Sequence, residues 1–237
     1  MVTRPATAAT PTIHSYLRHL RDQGLTSEVP EPLGIDGEVE TLRYVEGASG
    51  RDGWFAQHDD RGLTSAARLL RRIHDAGAGW EPPDDAVWGT HPVAGEDLVY
   101  CQGDPGPWNY VWHGHEAVAL LDWDFLHPGP RVDDVAYALR WFAPLRQDEH
   151  ALEWHHFPEV PDRRARVATY LAAYGDLPPF DVPTEVTAVM RRTRDRMAEL
   201  AAQGVQPQRT WVAEGSLDDE DEEIAWVLEH RADLSGP

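Results

Sequence analysis

The stretch from Asp97 to Asp124 constrains the fold of this chain more than any other. Asp97–Cys101 reads as a short strand, and Gln102-Gly103-Asp104-Pro105-Gly106 follows it with residues that tight turns select. Asn109-Tyr110-Val111-Trp112 and Ala117-Val118-Ala119-Leu120-Leu121 are two strand signals joined by His113-Gly114-His115-Glu116, a hairpin. A hairpin returns the chain to its starting end, so Asn109 and Asp122 are expected there together, beside the Asp104 turn.

Those groups, in that order, suit the chemistry of metal-bound phosphates. Asp104 can accept a proton from a substrate hydroxyl. The Asn109 amide oxygen and the Asp122 carboxylate are hard donors of the kind Mg²⁺ takes, with phosphates and waters completing the shell. Asp124 can assist from behind or bind a second ion. Singly, each fragment has a plainer reading: a β-turn at Gly103-Asp104-Pro105-Gly106 and a solvated strand end at Asp122 and Asp124. Their pairing at short range favours the site.

These motifs resemble the catalytic core of the aminoglycoside phosphotransferase and choline kinase group, bilobal relatives of the protein kinases. Gln102-Gly103-Asp104 and Asn109 stand where the group has His-Gly-Asp and a later Asn. Asp122-Trp123 matches its metal-binding Asp, and Gly129-Pro130-Arg131-Val132-Asp133-Asp134-Val135-Ala136 resembles the segment that follows. A looser likeness runs through Pro30-Glu31-Pro32-Leu33-Gly34 and Leu69-Leu70-Arg71-Arg72-Ile73-His74, so that most of Thr10 to Trp141 is covered. The Arg-Pro lead into the first helix resembles the trifolitoxin-immunity-like branch of the group.

The resemblance implies an α+β, protein-kinase-like fold of two lobes: an abbreviated N-lobe and hinge over residues 1–47, and a mostly helical C-lobe over 48–237. It implies ATP or GTP with Mg²⁺, and phosphoryl transfer to a small-molecule hydroxyl on an aminoglycoside-like or other cationic acceptor. Asp104 would be the base and Asn109 and Asp122 the metal ligands, with Gln102, Asp124 and Asp134 supporting them; Asp134 would buttress the catalytic loop. Tyr44-Val45-Glu46-Gly47 would be the hinge, where such folds meet the adenine edge.

The pattern breaks at the phosphates. All 21 basic residues are Arg, so the lysine that relatives pair with a helix Glu is absent. Arg4 is the cation nearest the vacant position, offering a planar fork in place of a point charge. Its plainer reading is a solvated residue in a loose arm from Val2 to Ala9. About ten residues precede the first helix, short of the roughly 15–20 that three strands need, and no glycine-rich loop is among them. That helix offers only Asp22 as an acid, so no Glu partner is evident. A second class therefore stays open, a catalytically weak or inactive kinase-like binding or immunity protein.

Composition limits the rest. The 237 residues, 41% of them hydrophobic and with ten Trp, suffice for a folded core. The single Cys101 excludes an intramolecular disulfide, which suits a reducing, cytoplasmic setting, and it reads as a buried structural thiol. No run nears the ~20 apolar residues of a membrane span, and no signal peptide is evident. A net charge of −20 disfavours nucleic acid and is compatible with a cationic small molecule, although excess acid also serves solubility.

Elsewhere the periodicity predicts a helix over Thr12–Gln23, capped by Thr10 and ended by Gly24, with Ile13, Tyr16, Leu17 and Leu20 on one face. A strand is predicted over Glu38–Val45 after the Asp36-Gly37 turn, and a helix from Leu63 to near Gly77, with His74 satisfied by backbone at its end. Gly79–Glu96 should be irregular. Helices follow from Asp133-Asp134 and near Pro161–Tyr174, Glu185–Gln203 and Asp218–Arg231. The acidic run Asp218–Glu223 suits a helix start, its alternative being a docking surface for a cationic substrate. Glu153-Trp154-His155-His156 reads as a surface loop, since adjacent histidines point apart in a helix.

Overall fold

The computed structural model describes residues 1–234. Its N-terminal part is a three-stranded antiparallel sheet ordered β1-β3-β2, built from β1 (Val2–Pro5), β2 (Pro32–Asp36) and β3 (Val39–Leu42). Helix α1 (Thr10–Asp22) lies between β1 and β2 in sequence, so two of the three strands come after the helix. The few residues ahead of α1 therefore do not limit the sheet. The expected loose arm is its first strand, held by four consecutive pairs from Val2↔Leu42 to Pro5↔Val39.

Gly37, at φ 58°, makes the tight β2–β3 turn. The predicted apolar face of α1 holds: Ile13, Tyr16, Leu17 and Leu20 are buried. Thr10 is the first residue of the helix rather than its cap, and its hydroxyl accepts the Thr7 amide at 2.8 Å.

A 3₁₀ turn at Gly50–Asp52 leads into α2 (Gly53–Ala56) and α3 (Asp60–Ala76). Asp59 caps α3 by accepting the Gly62 amide at 2.8 Å, and Leu63, Ala66, Leu70 and Ile73 bury its inner face. Residues 79–96 form no helix or strand. Four short strands follow, β4 (Leu98–Cys101), β5 (Tyr110–His113), β6 (Glu116–Leu120) and β7 (His127–Pro130). β5 and β6 form the predicted hairpin, while β4 pairs antiparallel with β7 across it. The loops leaving β4 and entering β7 are thereby brought side by side.

The remainder is helical: α4 (Arg131–Phe142), α5 (Asp148–Glu153), α6 (Arg163–Tyr174), α7 (Val182–Ala202), α8 (Gln208–Ala213), α9 (Ser216–Glu229) and α10 (Arg231–Leu234). α4 starts at Arg131, which puts Asp133 and Asp134 in its first turn. Val135, Leu139 and Phe142 pack into one core with Val167 and Tyr170 of α6 and Val186 and Met190 of α7. The α+β expectation is met, with the C-terminal part mostly helical. No helix among the described residues is long and apolar enough to cross a membrane.

A further segment departs from expectation. His155 does not lie on a surface loop: it is fully buried, edge-on to Trp54 and stacked on Trp141. Burial, with Arg146 and Arg140 nearby, holds its pKa well below the usual histidine range, so it is neutral.

Candidate active site

Gln102 joins the two loops of the site. Its Oε1 accepts the Asp104 amide at 2.7 Å, and its Nε2 donates to the carbonyls of Leu121 (3.0 Å) and Asp122. The side chain is fully buried, so this one amide ties the proposed base to the proposed metal ligand. Behind it, Asp134 accepts the amides of Gln102 (2.7 Å) and Gly103 (2.8 Å). Burial alone would push the Asp134 pKa up, but the hydrogen bond and charge of His74 and the Gly103 amide outweigh it and hold it low. His74 meets Asp134 at 3.1 Å and the Tyr174 hydroxyl at 2.6 Å, so side chains satisfy it rather than the expected backbone. Gly103, at φ 88°, could carry no Cβ without meeting the Phe125 carbonyl oxygen at 2.5 Å.

Asp104 is surrounded by donors. Tyr137 donates to Oδ1, while Trp108 Nε1 (3.3 Å) and Asn109 Nδ2 (2.8 Å) donate to Oδ2. Desolvation nevertheless raises its pKa to about 6. Asn109 Nδ2 also donates to the Asp104 carbonyl at 2.8 Å, which commits the amide nitrogen and leaves the amide oxygen as the remaining donor atom for a ligand. Tyr110 pairs with Leu120, and the Leu121 amide donates to the Asn109 carbonyl at 2.7 Å. Asn109 and Asp122 therefore sit at the same end of the hairpin. Asp122 holds the left-handed backbone at φ 51°.

Arg4 reaches into this cleft from β1. Its Nη1 donates to Asp122 Oδ1 at 2.9 Å, its Nη2 pairs with Asp124 Oδ1 at 2.7 Å, and its Nε contacts Glu40 Oε1. Glu40 lies directly opposite Arg4 in the β1–β3 register, is buried, and meets His14 Nε2 of α1 at 2.8 Å. The acidic partner sought on the helix is thus on a strand. Both Glu40 and His14 escaped the sequence reading; the available signal was an acid inside the strand pattern Val39-Glu40-Thr41-Leu42, where a buried charge requires a partner.

Asp122 and Asp124 converge on one cation, the Arg4 guanidinium; Asn109, at the same end of the hairpin as Asp122, carries a further oxygen of the kind a hard divalent ion takes. Burial and the neighbouring Asp122 raise the Asp124 pKa.

The predicted hinge residues Tyr44, Val45 and Glu46 carry the chain from β3 to the hairpin, with Tyr44 58% exposed. Ala48 bridges Trp112 through hydrogen bonds of 2.8 and 3.1 Å, and the Glu46 carbonyl meets His113 Nε2 at 3.1 Å. Cys101 is a buried free thiol whose pKa burial pushes well up, as its structural reading expects.

Residues 85–181, which include Asp104, Asn109, Asp122, Asp124 and Asp134, match the model of the Phosphotransferase enzyme family. The chain is 30% identical over 172 residues to a trifolitoxin immunity protein of Rhizobium leguminosarum bv. trifolii, covering 69% of this chain. It spans 63% of the length of that relative. Among solved structures, a putative aminoglycoside phosphotransferase from Ralstonia eutropha superposes with a TM-score of 0.59 at 13% identity, covering 98% of this chain and 85% of the other. An amicoumacin kinase in complex with AMP-PNP and Ca²⁺ gives 0.62 at 12% identity, with 96% and 78% covered. At such identities these two comparisons speak to fold.

Proposed function

We propose that this chain, whose residues 85–181 carry the Phosphotransferase enzyme family pattern on a kinase-like fold, is a phosphotransferase moving the γ-phosphoryl group of ATP or GTP to a hydroxyl of a small molecule. One observation carries the reading: Arg4, from the N-terminal strand, pairs with Asp122 and Asp124 at the end of the hairpin that also carries Asn109, itself bonded to Asp104. A short N-terminal lobe over 1–47 would fold over residues 48–237, with Tyr44-Val45-Glu46 against the base of the nucleotide.

Asp104 would orient the acceptor hydroxyl and take its proton as the new oxygen–phosphorus bond forms and the bond to the nucleoside diphosphate breaks. Asn109 and Asp122 would hold Mg²⁺, which when bound supplies charge neutralisation at the phosphates. Arg4, fixed by Glu40 and His14, would donate to phosphate oxygens where relatives use lysine. Gln102 and Asp134 keep the loops in register, and Asp124 shares Arg4 with Asp122. The lone buried thiol suits a cytoplasmic setting.

The immunity protein among the relatives favours a second reading, in which the same cleft binds a ligand without transfer. Calorimetry of purified protein with AMP-PNP and Mg²⁺ separates the two. Metal-dependent binding that Asp122→Ala weakens, together with ATP-dependent transfer that Asp104→Ala abolishes while nucleotide affinity stays the same, supports the enzyme. Absence of nucleotide binding leaves the immunity reading.

A further inference from the structure

Three side chains behind the Asp104 loop form a cluster that the phosphate chemistry does not use. Cys101 ends β4, His127 begins β7 and Asp133 lies in the first turn of α4. The Cys101 sulfur, a ring nitrogen of His127 and a carboxylate oxygen of Asp133 lie within 4.8 Å of one another. None of the three residues is more than 9% exposed. A Cβ at Gly129 would press on both Cys101 Sγ (3.2 Å) and His127 Nε2 (3.3 Å), so glycine keeps the space they share clear.

Hydrogen bonding fixes how His127 presents itself. Its Nδ1 is 2.8 Å from the Phe125 carbonyl, which can only accept, so Nδ1 carries a hydrogen. Nε2 then faces Asp133 Oδ2 at 3.1 Å, lone pair against carboxylate unless a proton or a metal ion lies between them. An imidazole anchored to a carbonyl through one nitrogen, with the other turned to further donors, is how metal-ligating histidines are oriented. Arg192 closes on Oδ1, the other oxygen of Asp133, and leaves Oδ2 to the cluster. The Pro130 carbonyl, 3.6 Å from Sγ, borders the same space. Ligand atoms around tetrahedral zinc stand about 3.3–3.8 Å apart, close to the 3.1 and 3.6 Å found between these pairs. The donor types choose the ion. A thiolate and an imidazole suit zinc, whereas Mg²⁺ takes oxygens, so this cluster and the Asn109–Asp122 end of the hairpin select different metals.

We propose that Cys101, His127 and Asp133 bind one zinc ion, with the Pro130 carbonyl or a water as fourth ligand, as a staple between β4, β7 and α4. Binding displaces the proton between His127 and Asp133 and the proton of the Cys101 thiol, with no change of oxidation state. Cys101 precedes Gln102 and Asp133 precedes Asp134, so the ion braces the same contacts that hold the Asp104 loop, whether or not the cleft transfers phosphate.

Because Cys101 is the single cysteine of the chain, a metal–thiolate signal reports on this cluster alone. The full chain, stripped of metal, is titrated with Co²⁺ as the coloured stand-in for zinc, in excess Mg²⁺. One equivalent is expected to produce the near-ultraviolet thiolate-to-cobalt band, and Zn²⁺ should erase it. Cys101→Ser should abolish the band, and both Cys101→Ser and His127→Gln should weaken Zn²⁺ binding in calorimetry at least about tenfold. Asp122→Asn should retain band and affinity, and Arg192→Gln should tighten Zn²⁺ binding by removing a positive charge from Asp133. Zn²⁺ should raise the thermal midpoint of the unsubstituted protein and not that of Cys101→Ser. Absence of the thiolate band in the unsubstituted protein overturns the proposal. So does a Zn²⁺ affinity unchanged in folded Cys101→Ser and His127→Gln, or a band that excess Mg²⁺ or Asp122→Asn removes.

Discussion

Arg4 and Glu40 face each other across β1 and β3, and their pairing shows how a chain without lysine can still aim a fixed cation at the Asp122 carboxylate. The planar guanidinium spreads its donors over Glu40, Asp122 and Asp124 at once, which a single ammonium reaches less well. Arg4→Ala is expected to weaken nucleotide affinity by about 1–3 kcal/mol, the scale of a charge-assisted hydrogen bond. An unchanged calorimetric affinity would remove Arg4 from the phosphate site. Asp104 offers a second residue-scale check. Because burial raises its pKa to about 6, the metal-free protein should lose the carboxylate as pH falls through about 6, well above the usual carboxylate range. Tyr137→Phe deletes a donor that favours the ionised form, so the midpoint should move higher still. Carbon NMR of the side-chain carboxyl reads both; a midpoint near 4 in the unsubstituted protein would contradict the desolvation.

At the scale of elements, the site depends on two loops held by one buried side chain. Gln102→Leu keeps similar bulk but strands the Asp104 amide and the Leu121 and Asp122 carbonyls. A loss of roughly 2–4 kcal/mol is expected in urea unfolding, since buried groups left without partners bear their full desolvation cost; a loss below about 1 kcal/mol would mean that water substitutes for the amide. The β5–β6 hairpin was legible because its strands are short apolar runs separated by a polar turn with Gly114, and its ends carry the polar groups, so turn chemistry and pattern agreed. Of the N-terminal sheet only β3 was, within the strand expected over Glu38–Val45. β1 has four residues, one of them Pro5, and β2 carries Gly34 inside it, so neither has the length or composition that marks a strand. They pair because β3 lies between them, and such pairing across α1 leaves no local trace. For the same reason Glu40 could not be read as the partner of Arg4, although Asp104, Asn109 and Asp122, set by one short segment, could be placed at one end of the hairpin.

Over the whole molecule, the acidic C-terminal run does structural work that its charge count conceals. Asp218 and Asp219 occupy the first turn of α9, as the sequence suggested, but Glu223, three per cent exposed, closes on Arg140 and Arg146 from beyond α4. Burial pushes Arg146 down to about 10 even with that carboxylate beside it, a sign that its compensation is barely sufficient. α4 also carries Asp134 and Tyr137, so the docking of α9 bears on the same helix that supports Asp104. Glu223→Leu leaves Arg146 without its acid and Arg140 with Glu220 alone, and should cost about 3–5 kcal/mol, the range for breaking a buried pair from one side. Hydrogen exchange should quicken in α9 and extend into α4. Asp218→Asn or Asp219→Asn also removes one negative charge, but at a helix start on the surface, and should change stability by no more than about 0.5 kcal/mol. Comparable losses in all three variants would show that overall charge, and not the buried contact, governs how α9 is held.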